Sequence, residues 1–428
     1  METIKAPRGT KDVLGDESWK WARVLSVCGD VARDFGYSEV LLPIFEHTEL
    51  FSRGIGDATD VVEKEMYTFL DKGDRSITLR PELTASMVRS YLEHDMRRAP
   101  QPVKLWSAGP MFRYERPQKG RYRQFWQADF EILGVESPMA DIETIDTSME
   151  IYRRLGLTNL KVLINSVGCP KCRPAYREAL KSFIESSPGG MDSLCETCRG
   201  RLERNPLRIL DCKNPSCKEM TESAPAILDS LCGECKAHFE DVGRGLSRIG
   251  ADFRLDKRLV RGLDYYTKTA YEILAGELGS QNAVCGGGRY DNLAEAIGGP
   301  RVPGVGFASG IERIVITLEG QGVYLGEKPK TEAYVVTASD GLAIEASALT
   351  HELRASKIPA DTDYSGRGMK AQMKHASVLG ADFVCIIGDD EAASGTVSVK
   401  NMSSGEQRSF IRSETASRLL SWKEEQNR

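Results

Sequence analysis

The sequence lacks the long apolar runs that a membrane protein needs. No stretch of its 428 residues approaches the roughly 18 consecutive apolar residues that can span a bilayer. The opening METIKAPRGTKDVL also lacks the apolar core of a signal peptide. We therefore expect a cytoplasmic protein that has no membrane partner.

An excess of basic residues is also missing. The chain carries 57 Lys and Arg against 62 Asp and Glu, which gives a formal net charge of −5. A positive field over the whole surface therefore cannot attract a nucleic acid, and any RNA contact must use local basic patches. Low-complexity tracts are absent as well, so the composition is that of a globular protein, and its length predicts two to three domains.

The sequence contains no G-x-x-x-x-G-K-[ST] motif, which excludes a P-loop nucleotide site. Two glycine-rich stretches, GGGRYD at 286–291 and GVGFASG at 304–310, lack the fingerprint of a dinucleotide fold. Taken alone, they predict turns or close backbone packing. Nucleotide binding, if present, must therefore use another kind of site.

Residues 113–123 form a basic segment with five cations and one acid. The ordinary interpretation of such a charge run is a solvated hairpin tip. Apolar, strand-like sequence flanks it on both sides, however, and loops on rigid scaffolds often carry function. Arginine also offers paired donors to phosphate oxygens. We favour a loop that binds phosphate or RNA.

The order of strand-like and helical patterns indicates an α+β protein. Strand patterns with hairpin-like spacing predict an antiparallel sheet covered by helices, at 76–79, 103–111, 123–133, 160–166, 271–274 and 304–308. Pro43 lies in a further strand pattern and places it at an edge or an interface, because proline cannot donate to a ladder. After a Gly/Lys/Pro-rich linker at 319–331, strands and helices alternate, which predicts a small α/β domain with a mostly parallel sheet.

Eight of the eleven cysteines lie between positions 169 and 235, as CPKC, CETC, CKNPSC and CGEC. Paired C-x₂-C units are typical of thiolate metal sites, and a redox site or reduced core cysteines are the alternatives. Disulfides are not expected in a reducing cytosol. His238 is a further candidate ligand, although an isolated histidine is more often simply packed. The candidate Zn²⁺ ligands are Cys169, Cys172, Cys195, Cys198, Cys212, Cys217, Cys232 and Cys235.

Several strings resemble class II aminoacyl-tRNA synthetases. FRYERPQKGRYRQFWQADFEILG at 112–134 and GVGFASGIERIVI at 304–316 are similar to motifs 2 and 3 of that class. TLRPELTASMVR at 78–89, LVRGLDYYTKTAYEI at 259–273 and the opening PRGTKDVL resemble the histidyl-tRNA synthetase family in particular. The resemblance covers essentially the whole chain.

The resemblance implies a class II antiparallel-sheet catalytic domain at 1–167 and 241–325. It further implies a cysteine-rich insertion domain at 168–240 that contacts the tRNA acceptor arm, and a C-terminal α/β anticodon-binding domain at 331–428. The family is homodimeric, with the Pro43-bearing strand and its preceding helix at the interface. The implied activity is that of a histidine–tRNA ligase, which uses ATP and Mg²⁺ to form histidyl-adenylate from L-histidine and transfers histidine to the 3′ end of tRNA(His). Loss of metal from the insertion is then expected to impair tRNA charging more than histidine activation.

Site residues follow from the resemblance as well. Arg113 and Arg261 would be catalytic, on the α-phosphate of ATP. Histidine would be bound by Glu82, Thr84, Arg113, Gln127, Glu131, Arg261, Tyr265 and Tyr266. ATP would be bound by Arg113, Glu115, Arg121, Phe125 and Arg313, and the tRNA acceptor end by Arg116, Gln118 and Lys119 of the motif 2 loop.

Three points stay open at this level. Arg261 is alternatively a structural ion-pair residue, with Asp264 as a partner. Asp129 stands where many bacterial members have a small residue, so the division of roles between Asp129 and Glu131 is open. The alternative functions are a non-catalytic regulatory paralogue of ATP phosphoribosyltransferase, which typically lacks the equivalent of Arg261 and the C-terminal domain, and a zinc-ribbon RNA-binding protein with a relic synthetase core.

Overall fold

The computed structural model describes residues 3–56, 59–276 and 283–426. The chain divides into two compact units, one ending at Leu325 and the other starting at Gly326. Within the described ranges, no helix has the length and apolar character needed to cross a membrane.

Strands of the first unit form a large sheet and a small one. In chain order they are β1 (Ser38–Glu39), β2 (Phe45–His47), β3 (Tyr67–Leu70), β4 (Ser76–Leu79), β5 (Val103–Phe112), β6 (Gln124–Leu133), β7 (Leu160–Ser166), β8 (Phe253–Leu255), β9 (Thr267–Ala275), β10 (Ala283–Arg289) and β11 (Gly304–Gly310). The large sheet has the order β1-β5-β6-β11-β10-β9-β7-β8, and the small one β2-β4-β3. The edge pairs β1–β5 and β7–β8 are parallel, whereas the pairs between them are antiparallel.

Helices of the first unit cover both faces of the large sheet. They are α1 (Gly15–Asp34), α2 (Thr48–Ile55), α3 (Thr84–Glu93), α4 (Pro138–Arg154), α5 (Arg173–Ser186), α6 (Glu196–Arg204), α7 (Pro215–Met220), α8 (Gly233–Arg248), α9 (Leu293–Ala296) and α10 (Ile311–Gly320). Helices α1, α4 and α10 pack on one face, over a core that includes Val24 and Ile145. Helix α3 and the cysteine-rich segment pack on the other face, over a second core that includes Met87 and Tyr176.

Strand β6 shows how alternation prepares the site. Its even-numbered Ala128, Phe130 and Ile132 enter the core under α1, α4 and α10. Successive strand residues face opposite sides of a sheet, so the odd-numbered residues face α3. Three of those odd positions carry polar side chains, at 127, 129 and 131. On the side that faces α3, β6 is therefore apolar only near its ends, at Phe125 and Leu133.

Pro43 interrupts the strand pattern that surrounds it. Two short strands result, β1 before the proline and β2 after it, and each lies at the edge of its sheet. The predicted edge position is confirmed. Leu41, Ile44 and Phe45 beside the proline are 82%, 45% and 56% exposed.

The second unit has its own sheet and core. Its strands are β12 (Ala333–Thr337), β13 (Ala360–Thr362), β14 (Phe383–Ile387), β15 (Thr396–Asn401) and β16 (Gln407–Ile411), and its helices α11 (Ala343–Ala355), α12 (Met369–Leu379), α13 (Asp389–Ser394) and α14 (Thr415–Gln426). Strand β12 pairs in parallel with β13 and β14, but β14–β15 and β15–β16 are antiparallel. The prediction of a mostly parallel sheet is therefore wrong, because the turn after Asn401 returns the chain directly as a hairpin. The Asn401 side chain accepts from the amides of Ser403 and Ser404, both at 2.9 Å, and stabilises that turn.

Candidate active site

Glu131 is the centre of a buried polar pocket between β6 and α3. Its side chain is fully buried, and one carboxylate oxygen accepts from the Thr84 hydroxyl at 2.7 Å while the other accepts from the Tyr290 hydroxyl. Burial raises the pKa of Glu131 to about 8, against the two hydrogen bonds, which lower it. A carboxylate in such surroundings is costly unless it has a charged or hydrogen-bonding partner.

Glu82 holds the first turn of α3. Its carboxylate oxygens accept from the backbone N–H groups of Thr84 and Ala85, each at 2.8 Å. These are donors that a helix N-terminus leaves without intrahelical partners. Burial raises the pKa of Glu82, while these hydrogen bonds and the nearby Arg113 lower it. Glu82 and Thr84 thus enter the pocket from the same turn.

Asp129 and Gln127 bring unused acceptors to the pocket. Both carboxylate oxygens of Asp129 and Oε1 of Gln127 are buried and have no hydrogen-bond partner among the residues that the structure describes. Burial, and then the charges of Glu131 and Glu82, raise the pKa of Asp129 well above its usual range. Buried acceptors are nearly always paired in native proteins, so these atoms indicate a place for a ligand that donates hydrogen bonds.

Arg261 lies beside the pocket and pairs with Glu272 of β9, not with Asp264. The alternative interpretation, an ion pair of Arg261 with Asp264, is therefore wrong in its partner, and the Asp264 carboxylate instead accepts from Asn205 at 2.6 Å. The Arg261 guanidinium lies 5.7 Å from the centre of the Tyr266 ring and leaves Nε without a partner. The charge of Glu272 raises the pKa of Arg261 against the effect of burial.

Aromatic rings and glycine residues determine the shape of the pocket. Tyr265 and Tyr266 lie with ring centres 4.7 Å apart, and Tyr265 meets Tyr290 edge-on at 5.7 Å. A Cβ atom at Gly286 would overlap the Arg261 guanidinium, and one at Gly306 would overlap Oε2 of Glu131. The glycines of β10 and β11 therefore leave the space that these side chains occupy, as the close-packing interpretation predicts.

The basic segment after β5 gathers further arginines. Arg113 donates to the Pro81 carbonyl at 2.9 Å and lies 5.3 Å from the centre of the Phe125 ring. Arg121 forms an ion pair with Glu115 at 2.8 Å. Arg313, at the start of α10, donates to the Ala283 carbonyl at 2.5 Å and to the Gly120 carbonyl at 3.4 Å. The basic segment at 113–123 and the motif at 304–316 therefore contact each other, through Gly120 and Arg313.

The tip of that segment is exposed. Arg116, Gln118 and Lys119 all face solvent, and the turn is closed by backbone hydrogen bonds between Gln118 and Arg121. The structure therefore brings the predicted histidine and ATP residues together and leaves the three predicted tRNA residues outside the pocket, on a solvent-facing loop.

The eight cysteines form two separate groups. The outer cluster comprises Cys169, Cys172, Cys232 and Cys235, and the inner cluster Cys195, Cys198, Cys212 and Cys217. Within each, the four sulfur atoms lie within 4.8 Å of one another. All are free thiols, at sulfur–sulfur distances of 3.6 and 3.9 Å in the outer cluster and 3.8 Å in the inner one. A disulfide is about 2.05 Å long, whereas tetrahedral zinc with Zn–S bonds of about 2.3 Å separates its sulfurs by about 3.8 Å.

His238 belongs to neither cluster. Its Nε2 lies 3.2 Å from the Asp141 carboxylate, which also pairs with the fully buried Arg289. The idea of an extra metal ligand is therefore wrong, and the packed interpretation is correct. The Arg289 and His238 charges hold the pKa of Asp141 at about 2, against its burial.

Sequence reasoning missed three residues that the pocket uses. Tyr290 donates to Glu131, Glu272 pairs with Arg261, and Arg80 interacts electrostatically with Asp129 while its guanidinium is held by carbonyls of Leu42, Pro43 and Pro110. Tyr290 directly follows the GGGR run, which is a signal of close packing. Glu272 lies within the apolar second half of β9, AYEILA at 270–275, where an acid needs a partner.

The arrangement can bind a small ligand that donates several hydrogen bonds, next to a group of guanidinium ions suited to phosphates. Comparisons with known proteins fit this chemistry. The family model described as histidyl-tRNA synthetase matches residues 9–314, and the model of an anticodon binding domain matches residues 332–422.

Curated and solved proteins give the same result. The histidine–tRNA ligase of Desulforamulus reducens is 52% identical over 94% of this chain and 95% of its own length. That of Acetivibrio thermocellus is 48% identical over 97% of this chain and 99% of its own length. The crystal structure of apo histidyl-tRNA synthetase from S. aureus aligns with a TM-score of 0.82 and 41% identity, covering 97% of this chain and 99% of that chain.

Proposed function

This chain belongs to the histidyl-tRNA synthetase family and its activity is that of a histidine–tRNA ligase, and on that premise we propose how its own residues bind the substrates and carry out both steps. The observation that carries the assignment of residues is the buried pocket at Glu131, lined by acceptors without donors and bordered by Arg113 and Arg261. A histidine molecule offers an ammonium group and a ring N–H to such acceptors, and its carboxylate suits the arginines.

Histidine binds with both ends satisfied. Glu82, Thr84 and Gln127 take the α-ammonium group, and Glu131 and Tyr266 take the two imidazole nitrogens, with Tyr265 beside the ring. The hydroxyl of Thr84 already bridges toward Glu131 at 2.7 Å, which links the two ends of the pocket. A site built to hydrogen-bond a substrate rejects apolar isosteres strongly, because its own buried groups would then be unpaired.

Activation joins histidine to AMP. A carboxylate oxygen of histidine attacks the α-phosphorus of ATP, the bond to the bridging oxygen breaks, and pyrophosphate leaves with that electron pair. Negative charge grows on the α-phosphate oxygens, and Arg113 and Arg261 stabilise it. Both guanidiniums are held in advance, Arg113 by the Pro81 carbonyl and Arg261 by Glu272, so little reorganisation is needed.

ATP itself is held by the gathered arginines. Arg313 binds the γ-phosphate, Glu115 and Arg121 seat the nucleotide, and Phe125 stacks on adenine. Mg²⁺ prefers oxygen ligands, and the carboxylate of Glu115, which pairs with Arg121 at 2.8 Å, would offer it a protein oxygen next to the phosphates. When bound, the ion neutralises part of the charge of the β- and γ-phosphates.

Transfer ends the reaction at the tRNA. A hydroxyl of the terminal ribose attacks the histidyl carbonyl, and AMP leaves. Arg116, Gln118 and Lys119 contact the acceptor end from the exposed loop, while the second unit reads the anticodon of tRNA(His). Their exposure supports this role, since a basic loop on a rigid hairpin can reach a backbone phosphate.

The functional molecule is a cytoplasmic homodimer. Three apolar side chains around Pro43 are largely exposed, at an edge where a second copy can cover them. The family resemblance supports a dimer interface at this segment.

The cysteine clusters hold structural zinc. Their sulfur spacing fits tetrahedral thiolate coordination, and α6 and α7, which carry ligands of the inner cluster, are short helices. Zinc here supplies folding free energy and no step of the chemistry.

The alternative of a regulatory paralogue is not favoured. Arg261 and a second unit matched by an anticodon-binding model are present, and the relatives reported above are histidine–tRNA ligases over most of their length.

The proposal is tested by charging. Protein, ATP, Mg²⁺ and labelled L-histidine should form acid-precipitable histidyl-tRNA from tRNA(His), and tRNA species for other amino acids serve as controls. Histidine activation without any charging of tRNA(His) would contradict the transfer step.

A further inference from the structure

The two cysteine clusters are nested along the chain. The outer cluster joins Cys169 and Cys172 to Cys232 and Cys235, so it ties the beginning of the cysteine-rich segment to its end. The inner cluster joins residues 195 and 198 to residues 212 and 217, entirely within that segment. The sulfur positions therefore assign four ligands to each of two sites.

Residues enclosed by the inner cluster reach the catalytic string that contains Arg261. Arg208 donates from Nη1 to the backbone carbonyl of Arg261 at 2.9 Å, and Asn205 donates to the Asp264 carboxylate at 2.6 Å. Arg201, in the same loop as Asn205 and Arg208, donates to the Asp60 carboxylate at 2.7 Å and holds that loop in place. The loop between the second and third inner cysteines thus holds both ends of the Arg261–Asp264 stretch.

Apolar contacts join the same two segments, the loop of the inner cluster and the catalytic string. Leu202, Leu207 and Ile209 of this loop belong to one hydrophobic core together with Val260 and Tyr265 of the catalytic string. A displacement of the loop would therefore move the surroundings of Arg261 as well as its hydrogen bonds. Close-packed side chains transmit such shifts.

The loop itself contains little regular secondary structure. Helix α6 ends at Arg204, a single 3₁₀ turn covers Pro206–Ile209, and α7 is only six residues long. Cys195 is the N-cap residue of α6, and its backbone N–H donates to the Cys217 sulfur at 3.1 Å. A hydrogen bond from a backbone N–H to sulfur fixes the orientation of a thiolate that binds a metal ion.

We propose that the inner cluster is a tetrathiolate zinc site which positions Arg261 for histidine activation, through Arg208 and Asn205, and that the outer cluster is a second, separate zinc site. This inference rests on the proposed function and deepens it. It differs from the expectation that metal loss would affect tRNA charging first, because the contacts lead to the adenylation arginine. Arg208 and Asn205 are positioning residues, since they touch the catalytic string and not the substrate pocket.

Metal content tests the ligand assignment. Elemental analysis of protein purified without chelator should find two zinc ions per chain. The Cys198→Ser variant and the Cys172→Ser variant should each contain one zinc ion per chain. Cobalt(II) added in place of zinc should show the absorption of tetrahedral thiolate coordination with the same stoichiometry. One ion or none in the unsubstituted protein, or a single substitution that removes both ions, would overturn the assignment of two independent sites.

Positioning is tested with Arg208→Ala, which leaves all eight cysteines intact. Histidine-dependent ATP–pyrophosphate exchange should fall roughly ten- to a hundredfold in kcat, with smaller changes in the KM for histidine and ATP. Zinc content should stay at two, amide hydrogen exchange should rise at 261–264, and Arg208→Lys should recover part of the rate. Lys213→Ala, in the same segment but paired only locally with Asp211, is the matched control and should behave as the unsubstituted protein.

The outcomes separate this inference from the proposed function. If the unsubstituted protein shows no histidine-dependent exchange, the proposed function fails. If it does, but both Arg208→Ala and the inner-cluster variant keep full kcat and unchanged hydrogen exchange at 261–264, the positioning role alone is overturned.

Discussion

At the scale of single residues, the pocket contains buried hydrogen-bond acceptors to which no described residue donates a hydrogen bond. Asp129 and Gln127 together leave three such oxygens, and Glu131 retains a pKa near 8. Each costs stability in the free protein, and a bound histidine would supply the missing donors. Substrate binding and the local instability of the empty pocket are therefore two aspects of one arrangement.

Arg261 gives the sharpest test at this scale. Arg261→Ala should slow adenylate formation by roughly two to three decades, because a preorganised cation at the developing charge is lost, while histidine and ATP binding change less. Single-turnover formation of histidyl-adenylate measures the effect. Arg254→Ala, on exposed β8, is the control, and near-normal activation by the Arg261 variant would refute the assignment.

Glu131 predicts a pH dependence of stability. Burial raises its pKa in the folded protein from the ordinary value of 4.5 to about 8, so the folded state holds the proton more tightly than the unfolded state. The resulting stabilisation is complete below the unfolded pKa and is lost as pH rises through 8. In Glu131→Gln this dependence is removed.

Thermal unfolding without histidine provides the measurement. The variant should gain stability relative to the unsubstituted protein between pH 5.5 and pH 8.5, by up to the order of a few kcal/mol, while losing histidine binding. An equal difference at both pH values would mean that Glu131 is ionised throughout.

The sequence predicted site residues where they belong to a recognisable motif. It did not predict which side chains those residues contact. The arginines and tyrosines of the RGLDYY string could be named in advance. Glu272 and Tyr290 lie 11 and 29 residues beyond Arg261, and only the pairing of β9, β10 and β11 brings them into the pocket. Asp264, the nearer acid, entered only as a partner in the alternative interpretation of Arg261 as a structural ion-pair residue.

At the scale of elements, strands with β-branched and apolar alternation were predicted well. The patterns at 76–79 and 160–166 match β4 and β7 to the residue. Strand β10 was missed, because its three consecutive glycines have low strand propensity. They lie in the sheet since the neighbouring guanidinium and tyrosine rings leave no room for a side chain.

Gly306 tests that explanation. In Gly306→Ala the new methyl group would overlap the Glu131 carboxylate and lies close to the Phe130 carbonyl. Overpacking costs about 1–3 kcal/mol of stability, and displacing Glu131 should abolish histidine binding, measured by calorimetry. Gly341→Ala meets no atom within 4 Å and should retain binding. Normal histidine affinity in Gly306→Ala would contradict the described packing.

At the scale of the whole molecule, the chain combines a class II catalytic fold, a cysteine-rich segment and an anticodon-binding unit. The α+β class and the C-terminal unit were predicted from the alternation of patterns and from the resemblance, and both are confirmed. The boundaries of the insertion stay predictions. Sequence spacing could not pair the cysteines, because nested and sequential pairings use the same four units, three C-x₂-C and one C-x₄-C.

Two units with separate cores predict separable functions. The cores of the second unit draw only on residues 333–422 among the described residues. A chain ending at Glu327 should keep histidine activation largely intact and lose most tRNA charging, since the anticodon contact is gone. The ratio of exchange rate to charging rate is the measurement. An equal loss of both would show that the second unit supports the catalytic fold.

The central claim is that the pocket at Glu131 selects histidine for adenylation next to Arg113 and Arg261. ATP–pyrophosphate exchange measured separately with each of the twenty standard amino acids tests it most directly. Exchange should depend on L-histidine and Mg²⁺ and should stay near background with the other nineteen. Efficient exchange with another amino acid, or none with histidine, would contradict the account.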